Sequence, residues 1–301
     1  MTTAQSAIIP ENSRAAIVIE ALFTTKDRQA LAQAVHRTLA ALNDLQARYP
    51  TDNLGLSIGF GAEAWALFAK EGEGADIKPF VTLGNGLAPA TQCDIVFHIQ
   101  SLRPDINFSL AQHAVAAFAG LLAIQDETHG FRWVENRGLD GFVDGTENPH
   151  TTEDITQIGI INEGIDKGGS YLLIQKYRHD LTQWNALSIH EQERCVGRTK
   201  ADNIEFSKQE RAPDSHLTRT NLKENGVGLK IVRRSLPYGT VTGEHGLLFI
   251  AYSARLWHIE AQLLSMFGET DGQVDLLLKH LSTATRGAYY FVPALDRLKT
   301  L

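Results

Sequence analysis

Cysteine is almost missing from this chain of 301 residues, which contains only Cys93 and Cys195. The two are far apart and form no CxxC arrangement. The sequence therefore excludes a disulfide framework, a cysteine-based zinc site and covalent haem attachment through CxxCH. Any chemistry in this protein has to depend on other side chains.

Long hydrophobic runs and targeting signals are missing as well. The longest apolar run, near residues 114 to 124, is interrupted by Gly120 and is shorter than the ~18 residues that a membrane-spanning helix needs. Residues 1 to 10 contain no basic region, no apolar segment and no twin arginine, so no export signal is visible. We expect a soluble protein of a reducing cytoplasm.

Positive charge is not in excess. The chain has 28 Lys and Arg against 35 Asp and Glu, a net charge of −7, and no long basic run. This balance disfavours nucleic acid or an anionic membrane as the main partner. Hydrophobic residues are abundant, at 43%, which is enough for one large core or two medium ones.

The order of the hydrophobic patterns predicts two similar halves. Helical spacing and strand alternation in the first half predict strands at 15 to 23, 54 to 60, 94 to 99 and 129 to 134, with helices at 27 to 49 and from 104 onward. The second half repeats that order. Its predicted strands are 171 to 177, 228 to 235, 246 to 254 and 288 to 292, and its predicted helices are 181 to 193, 259 to 267 and 274 to 281.

Two successive units of this order predict an α+β fold with duplicated ferredoxin-like sheets, arranged like a β-sandwich with peripheral helices. We expect an N-terminal ferredoxin-like half at residues 1 to 137, a glycine-rich connecting loop at 138 to 170 and a C-terminal ferredoxin-like half at 171 to 301. A cleft or cofactor between the two sheets would place the connecting loop on its rim.

The connecting loop contains the most informative stretch of the chain, GFVDGTENP at 141 to 149. Glycines flank Asp144, so the backbone can adopt positive φ and approach a flat ligand while the carboxylate projects into the remaining space. The alternative is an ordinary loop, because Asp-Gly and Asn-Pro are turn dipeptides. A histidine-bearing loop and an arginine-bearing strand downstream favour the functional interpretation.

The arginine-bearing strand is LKIVRRS at 229 to 235. Strand alternation places Arg233 and Ser235 on one face with two apolar residues, and Arg234 on the other face, where it can reach solvent. A buried guanidinium needs an anionic partner. Arg233 therefore belongs either to a structural pair with a carboxylate such as Asp144, or to a site in which both groups face a ligand.

The histidine-bearing loop is SHLTR at 215 to 219, a polar segment between two predicted elements. In a chain with 11 histidines, any one of them is more often a surface or core residue than a ligand, but the position of His216 in this loop, 17 residues before Arg233, favours a ligand. A metal-ligating imidazole needs an acceptor on its other nitrogen, and Asp275 is the candidate for that acceptor. The alternative for Asp275 is an exposed acid stabilised by the dipole of a helix N-terminus.

Together these segments resemble the signatures of the dye-decolourising peroxidases. Residues 141 to 149 resemble the family's GxxDG motif, 215 to 219 its proximal-histidine loop, 228 to 239 its distal-arginine strand and 287 to 293 its closing strand. The resemblance runs from about residue 8 to the C-terminus, in the family's order and spacing. It is closest to the short bacterial cytoplasmic branch of the family.

The resemblance implies haem b (iron protoporphyrin IX), held in the second half. Carried over to this sequence, His216 is the axial ligand of the haem iron, Asp144 the distal acid and Arg233 the distal arginine. Asn148 and Ser235 are expected to join His216 and Arg233 as cofactor-binding residues. Asp275 is expected to hold the second nitrogen of the axial histidine.

The activity that the resemblance implies is that of a peroxidase. It reduces hydrogen peroxide through an oxoferryl intermediate and oxidises bulky phenolic, dye or porphyrinogen donors. Uneven cleavage of the O–O bond needs a base and a positive charge, roles that suit Asp144 and Arg233. The alternative is a haem-handling protein that stores or delivers haem or releases its iron, with incidental peroxidase activity. Simple carriage needs neither group, which favours the enzyme.

The resemblance also implies a homo-oligomer, a dimer or a larger assembly. Relatives that are packaged into encapsulin shells carry an extra C-terminal tail, whereas this sequence stops soon after Pro293. We therefore expect no encapsulin partner.

Overall fold

The computed structural model describes residues 3 to 301. Its strands are β1 (Ala15–Phe23), β2 (Gly55–Phe60), β3 (Ile95–Ser101), β4 (Leu122–Phe131), β5 (Ser170–His179), β6 (Lys223–Glu224), β7 (Val227–Gly228), β8 (Val232–Arg233), β9 (Leu236–Gly239), β10 (His245–Ser253) and β11 (Ser282–Val292). Its α-helices are α1 (Arg28–Arg48), α2 (Ala62–Trp65), α3 (Pro104–Ala117), α4 (Thr152–Gly159), α5 (Leu181–Ala186), α6 (Ile189–Val196), α7 (His216–Thr220), α8 (Leu256–Met266), α9 (Leu276–His280) and α10 (Leu295–Leu298). None of the described helices is both long and apolar enough to cross a membrane.

The longest helix, α1, forms for reasons that are visible in its sequence. The Asp27 side chain accepts hydrogen bonds from the N–H groups of Gln29 and Ala30, which satisfies two free donors of the first turn. Pro50 follows its end, and a proline disfavours helical backbone in the residue before it. Its apolar face is buried against the first-half sheet.

Each half of the chain forms a ferredoxin-like sheet. In the first half the strand order is β2-β3-β1-β4, and in the second it is β11-β5-β10-β9. All the described pairings are antiparallel. Helices α1 and α3 pack on the outer face of the first sheet, and α8 packs on the second. This duplicated order confirms the predicted fold class.

The two sheets are joined at both edges, which the sequence did not indicate. Phe291 of β11 pairs with Phe60 of β2, and Tyr238 of β9 pairs with Gly130 of β4. With the β5–β10 pairing, eight strands close into a ring. Inward side chains from both sheets fill the ring with an apolar cluster. Among the described residues these side chains fill the interior of the ring, so a cofactor is expected to lie outside it.

Several element predictions differ from the structure. Strand β4 begins at Leu122 instead of 129, because much of it is exposed and lacks a clean apolar alternation. The helix predicted at 181 to 193 is divided into α5 and α6, since Ser188 caps a new helix in a capping box with Glu191. Helix α4 lies within the segment predicted as a loop, with Thr151 as its cap.

The strand predicted at 228 to 235 is mostly irregular. Only Val232 and Arg233 pair with β10, opposite Tyr252 and Ala251. Residues 229 to 231 instead form part of the wall of a cavity in the second half. The short strand β9, which follows it, was not predicted.

Candidate functional site

A cavity of about 420 Å³ lies on the outer face of the second-half sheet. Its volume falls within the range of sites that hold small organic molecules and cofactors. All its lining residues among the described part of the chain lie at position 138 or later. Apolar side chains from β5, β10 and α8 form much of its wall, namely Leu173, Leu247, Phe249, Ile259, Leu263 and Met266.

His216 projects into this cavity from the first position of α7, with 29% of its side chain exposed. Its Nδ1 lies 2.7 Å from Oδ2 of Asp275. Its Nε2 makes no hydrogen bond within residues 3 to 301. A carboxylate on one nitrogen fixes the orientation of the ring and raises the basicity of the other nitrogen. The ring is therefore arranged as a metal ligand would be.

Asp275 is fully buried, in contrast to the alternative of an exposed acid. It does cap a helix, because its Oδ1 accepts a hydrogen bond of 2.8 Å from the Leu277 N–H at the start of α9. One carboxylate oxygen thus holds the helix and the other holds His216. The fold thus brings His216 and Asp275 into the expected contact.

Asp144 lies in a loop that two left-handed glycines shape. Gly141 and Gly145 have φ values of 87° and 85°, which a side chain would strain. The Asp144 N–H donates to the Asn136 carbonyl over 2.9 Å. Arg137 Nη1 fixes the same loop by donating to the Gly141 carbonyl over 2.9 Å. The Asp144 carboxylate itself forms no hydrogen bond or ion pair within the described chain, and it faces the cavity.

The backbone of Arg233 is fixed by hydrogen bonds, whereas its guanidinium is free. Its N–H donates to Asn148 Oδ1 over 2.8 Å, and its carbonyl accepts from Asn148 Nδ2 over 3.2 Å. The guanidinium makes no hydrogen bond or ion pair with any described residue, although it lines the cavity. The first alternative, a structural ion pair between Arg233 and Asp144, is therefore wrong for this chain. The other alternative, in which both groups face a ligand, agrees with the structure.

Asn148 was expected to be a cofactor-binding residue, and that expectation stays a prediction. Both of its amide atoms contact the backbone of Arg233, and it does not line the larger cavity. It connects the Asp144 loop to the arginine segment. Ser235 does line the larger cavity, and its Oγ accepts a hydrogen bond of 3.2 Å from the Ile250 N–H.

A second cavity of about 200 Å³ adjoins the first, and we call it the vestibule. Both cavities are lined by Asp144, Arg233 and Ser235, so these side chains stand at the boundary between them. Arg132 also lines the vestibule. Burial lowers the pKa of Arg132, and the charge of Asp144 opposes that shift. The vestibule is therefore a cavity with polar and charged residues in its lining, and it meets the larger cavity at the two free charged groups.

Arg234 does not reach solvent, so that prediction is wrong. Only 7% of it is exposed, and its Nε and Nη2 donate to the carbonyls of Ile8 and Ile9 over 3.0 and 2.9 Å. Burial lowers its pKa to about 10. The N-terminal segment covers this side of the arginine segment, which local alternation cannot reveal.

Arg198 and Asp140 are charged residues of the cavity wall that were not predicted as site residues, although the segment 197 to 200 also resembles a segment of the family. Arg198 lines the cavity and forms ion pairs with Glu147 and with Glu205, the latter over 3.1 Å. Its signal in the sequence is Gly197, which ends α6 in the left-handed region with φ 91° and so redirects the chain. Asp140 is the other missed residue, and its only signal is its position directly before the GxxDG motif.

Asp140 is a titratable group in the cavity wall. Burial, together with the charge of Asp144, raises its pKa to about 6, whereas the hydrogen bond from the Phe142 N–H and the charges of Lys200 and His216 act in the opposite direction. Because the folded-state pKa is raised, the stability that Asp140 contributes is fully present below its ordinary pKa of about 3.9. That contribution is lost as pH rises through about 6.

We expect Asp140→Asn to remove this pH dependence. The free energy of unfolding of the variant relative to the parent should rise by about 1 to 2 kcal/mol between pH 4 and pH 7. Denaturant titration of both haem-loaded proteins across this range measures the difference. The two proteins have to be compared with each other, because the lowered pKa values of His98 and His179 make the free energy of unfolding of both proteins rise with pH. That rise is opposite to the effect of Asp140. Asp202→Asn, at an exposed position, is the control. A constant difference across the range would contradict the assignment.

Comparisons with known proteins agree on one family. The model of the Dyp-type peroxidase N-terminal domain matches residues 5 to 132, and that of the C-terminal domain matches residues 135 to 297. A dye-decolorizing peroxidase of Rhodococcus erythropolis is 37% identical over 276 residues, covering 88% of this chain and 81% of the relative. A dye-decolorizing peroxidase of Mycobacterium tuberculosis is 36% identical over 303 residues, covering 97% of this chain and 90% of the relative.

Solved structures give the same result. The dye-decolorizing protein from V. cholerae matches with a TM-score of 0.93 and 36% identity, covering 99% of both chains. A variant of DypB from Rhodococcus jostii RHA1, solved in complex with heme, matches with a TM-score of 0.92 and 33% identity, covering 100% of both chains.

Proposed function

This chain belongs to the Dyp-type peroxidase family, and from that membership we propose that His216, Asp144 and Arg233 carry out its reaction. The protein is a haem peroxidase, which reduces hydrogen peroxide with electrons from organic donors. The observation that carries the proposal is that Asp144 and Arg233 both face the cavity, and that neither side chain forms a hydrogen bond or ion pair with another residue of the described chain. A charged pair left free at the meeting point of two cavities is suited to a ligand that arrives there.

The residues of the larger cavity fit haem. Its apolar wall suits the porphyrin faces, and the Nε2 of His216 is free to bind iron. Lys223 and Lys230 line the same cavity and would supply positive charge to the haem carboxylates. When bound, haem supplies the electrons that reduce peroxide and then takes them back from the donor.

Asp144 acts in this proposal as the proton carrier. Its carboxylate takes a proton from one oxygen of the incoming peroxide and returns it to the other oxygen, which leaves as water. Such transfer requires a positioned group within hydrogen-bond reach. The left-handed glycines on either side of Asp144 keep the loop backbone clear of the space into which the carboxylate projects.

Arg233 supplies the fixed positive charge. Negative charge develops on the departing oxygen, and a donor held in place beforehand needs no reorganisation at that moment. Asn148 is the positioning residue, since its two hydrogen bonds fix the backbone from which the guanidinium extends. Arg198 cannot substitute for Arg233, because Glu147 and Glu205 already engage it.

The haem-handling alternative is not favoured, because storage needs neither a free carboxylate nor a free guanidinium beside the cofactor. Mixing the haem-loaded protein with one equivalent of peroxide in a stopped-flow instrument tests the choice. We expect a rapid change of the haem absorbance, followed by its reversal when a phenolic or dye donor is added. Slow bleaching without reversal would instead support haem handling and iron release.

The donor class, assembly and location belong to the same proposal. We infer that bulky phenolic, dye or porphyrinogen donors deliver electrons from the surface, because the vestibule of about 200 Å³ is too small to admit most of them whole. We expect a homo-oligomer in the cytoplasm. Light scattering of the purified protein and fractionation of cells measure these two properties directly.

A further inference from the structure

The vestibule has more positive charge in its lining than its own carboxylates compensate. Three arginines that form no ion pair with any residue between 3 and 301 line it, namely Arg132, Arg233 and Arg234. The carboxylates in the same lining are those of Glu11 and Asp144. Arg137 also lines the vestibule, but it is balanced by Glu135 over 3.1 Å. With histidine counted as neutral, three positive charges thus face two negative ones, and one positive charge is left uncompensated.

Arg132 is the half-buried arginine of this lining that has donors left for a ligand. Its Nε donates to the Ser13 carbonyl over 2.8 Å, and its Nη1 donates to Asn136 Oδ1 over 2.9 Å. Both partners are neutral, and Nη2 donates to no atom of the described chain. The two hydrogen bonds hold the guanidinium in place before a ligand arrives. A guanidinium held in this way is suited to a carboxylate, which accepts two parallel N–H bonds from it.

The surroundings of Arg132 disfavour its positive charge. Burial has the largest influence and lowers the pKa of Arg132, and the charge of Arg14 adds to this effect. The charges of Asp144 and Glu11 raise the pKa, but the net shift is downward. The carboxylates of the chain therefore do not offset the burial of this guanidinium. An anion in the vestibule would supply the missing counter-charge.

The remaining wall of the vestibule suits a flat apolar group. Trp133 lines it with 42% of its surface exposed, and its ring packs edge-on against Phe131 with centroids 6.2 Å apart. Leu236 and Pro237 also line it. The volume of about 200 Å³ is below the ~300 to 1,000 Å³ of sites for drug-sized ligands. One aromatic ring that carries a carboxylate therefore matches the size, the wall and the charge of the vestibule.

We propose that the vestibule is a binding site for a small aromatic monocarboxylate, whose carboxylate pairs with Arg132 and whose ring packs on Trp133. A single negative charge matches the one uncompensated positive charge, whereas a second would face Asp144 and Glu11. Asp144 and Arg233 stand where the vestibule meets the larger cavity, so the bound molecule covers their approach from this side and slows the reaction with peroxide. This effect on the reaction rests on the proposed function, whereas the binding itself does not.

Calorimetric titration of the resting haem-loaded protein with benzoate, at constant ionic strength, tests the site. Benzamide has the same shape without the charge, and acetate has the charge without the ring. We expect one benzoate to bind per chain and both other molecules to bind more weakly, benzamide by about 10- to 100-fold, because hydrogen bonds to charged groups are the stronger ones. The haem absorption spectrum should not change, which shows that benzoate is not bound to the iron. Equal affinity for benzoate and benzamide would overturn the proposal.

Three variants locate the site. Arg132→Met should weaken benzoate binding about 10- to 100-fold. Arg14→Met is the matched control and should bind benzoate like the parent, because Arg14 is exposed and does not line the vestibule. Glu11→Gln should strengthen binding about two- to fivefold, since it removes a like charge from a partly exposed position. A misfolded chain cannot gain affinity, so this variant keeps the test decisive if Arg132→Met is unstable. Unchanged affinity in Glu11→Gln or in Arg132→Met would contradict the assignment.

A second measurement separates this proposal from the peroxidase function. In stopped-flow mixing with peroxide, benzoate should slow the parent reaction with a half-inhibiting concentration that agrees with the calorimetric Kd at low peroxide. If peroxide never changes the haem absorbance, the proposed function fails, and calorimetry alone decides about the site. If peroxide reacts but benzoate does not bind, this proposal fails and the proposed function stands. Benzoate that binds at Arg132 and leaves the rate unchanged would overturn the claim that it covers the approach to Asp144 and Arg233.

Discussion

Replacing His216 by alanine is expected to remove most of the bound haem. The bond to iron is lost, and Asp275 remains fully buried without the partner of its Oδ2. Loss of an outer partner of a metal ligand typically weakens metal binding about 10- to 100-fold, and loss of the ligand itself should exceed that. The measurement is the ratio of haem to protein after gel filtration, with the absorption spectrum of what remains.

Two further variants make this result specific. Asp275→Asn should weaken haem retention less than His216→Ala, within the range of about 10- to 100-fold. His179→Ala is the matched control, because His179 lines the same cavity while its Nδ1 lies 3.1 Å from Ser282 Oγ and burial lowers its pKa to about 4. Full haem occupancy with an unchanged spectrum in His216→Ala would show that another histidine binds the iron.

The second large effect is expected on the reaction with peroxide. Arg233→Leu and Asp144→Asn should both retain haem, since neither is needed for the bond to iron. Loss of one fixed charge should slow the first reaction with peroxide about 10²- to 10³-fold. Loss of the proton carrier should slow it about 10²- to 10⁴-fold. Stopped-flow absorbance at several peroxide concentrations gives the second-order rate constants.

Asn148→Ala provides an intermediate test of the same geometry. It leaves both charged side chains in place but removes the two hydrogen bonds to the Arg233 backbone. We expect a smaller loss of rate than in Arg233→Leu, with unchanged haem occupancy. If Arg233→Leu reacts with peroxide at the parent rate, the guanidinium has no part in the reaction, whatever Asn148→Ala does.

Features that depend on short stretches of chain could be predicted from the sequence. Helix α1 was predicted to within one residue at each end, because its cap, its apolar stripe and the following proline are all local. The contact of His216 with Asp275 was also anticipated, although 59 residues separate them. That anticipation relied on the chemical need of a metal-ligating imidazole for an acceptor.

Features that depend on contacts between distant segments could not be predicted. The ring closes through single residue pairs at β2–β11 and β4–β9, which leave no pattern in the sequence. Arg234 is buried because Ile8 and Ile9 cover it, and those residues lie more than 200 positions away. The pKa of Asp140 is raised because the folded chain buries it and brings Asp144 near it.

The residues around the vestibule differ from those around the larger cavity, so the entry of molecules and the proposed reaction depend on different parts of the chain. The described residues before 138 contribute nothing to the lining of the larger cavity, yet Ser13, Gln100 and Arg132 line the vestibule together with residues of the second half. We therefore expect the first half to influence which molecules enter, while the proposed reaction takes place on residues of the second half. Substitutions there can alter which molecules reach the cofactor, and how fast, without changing how it is held.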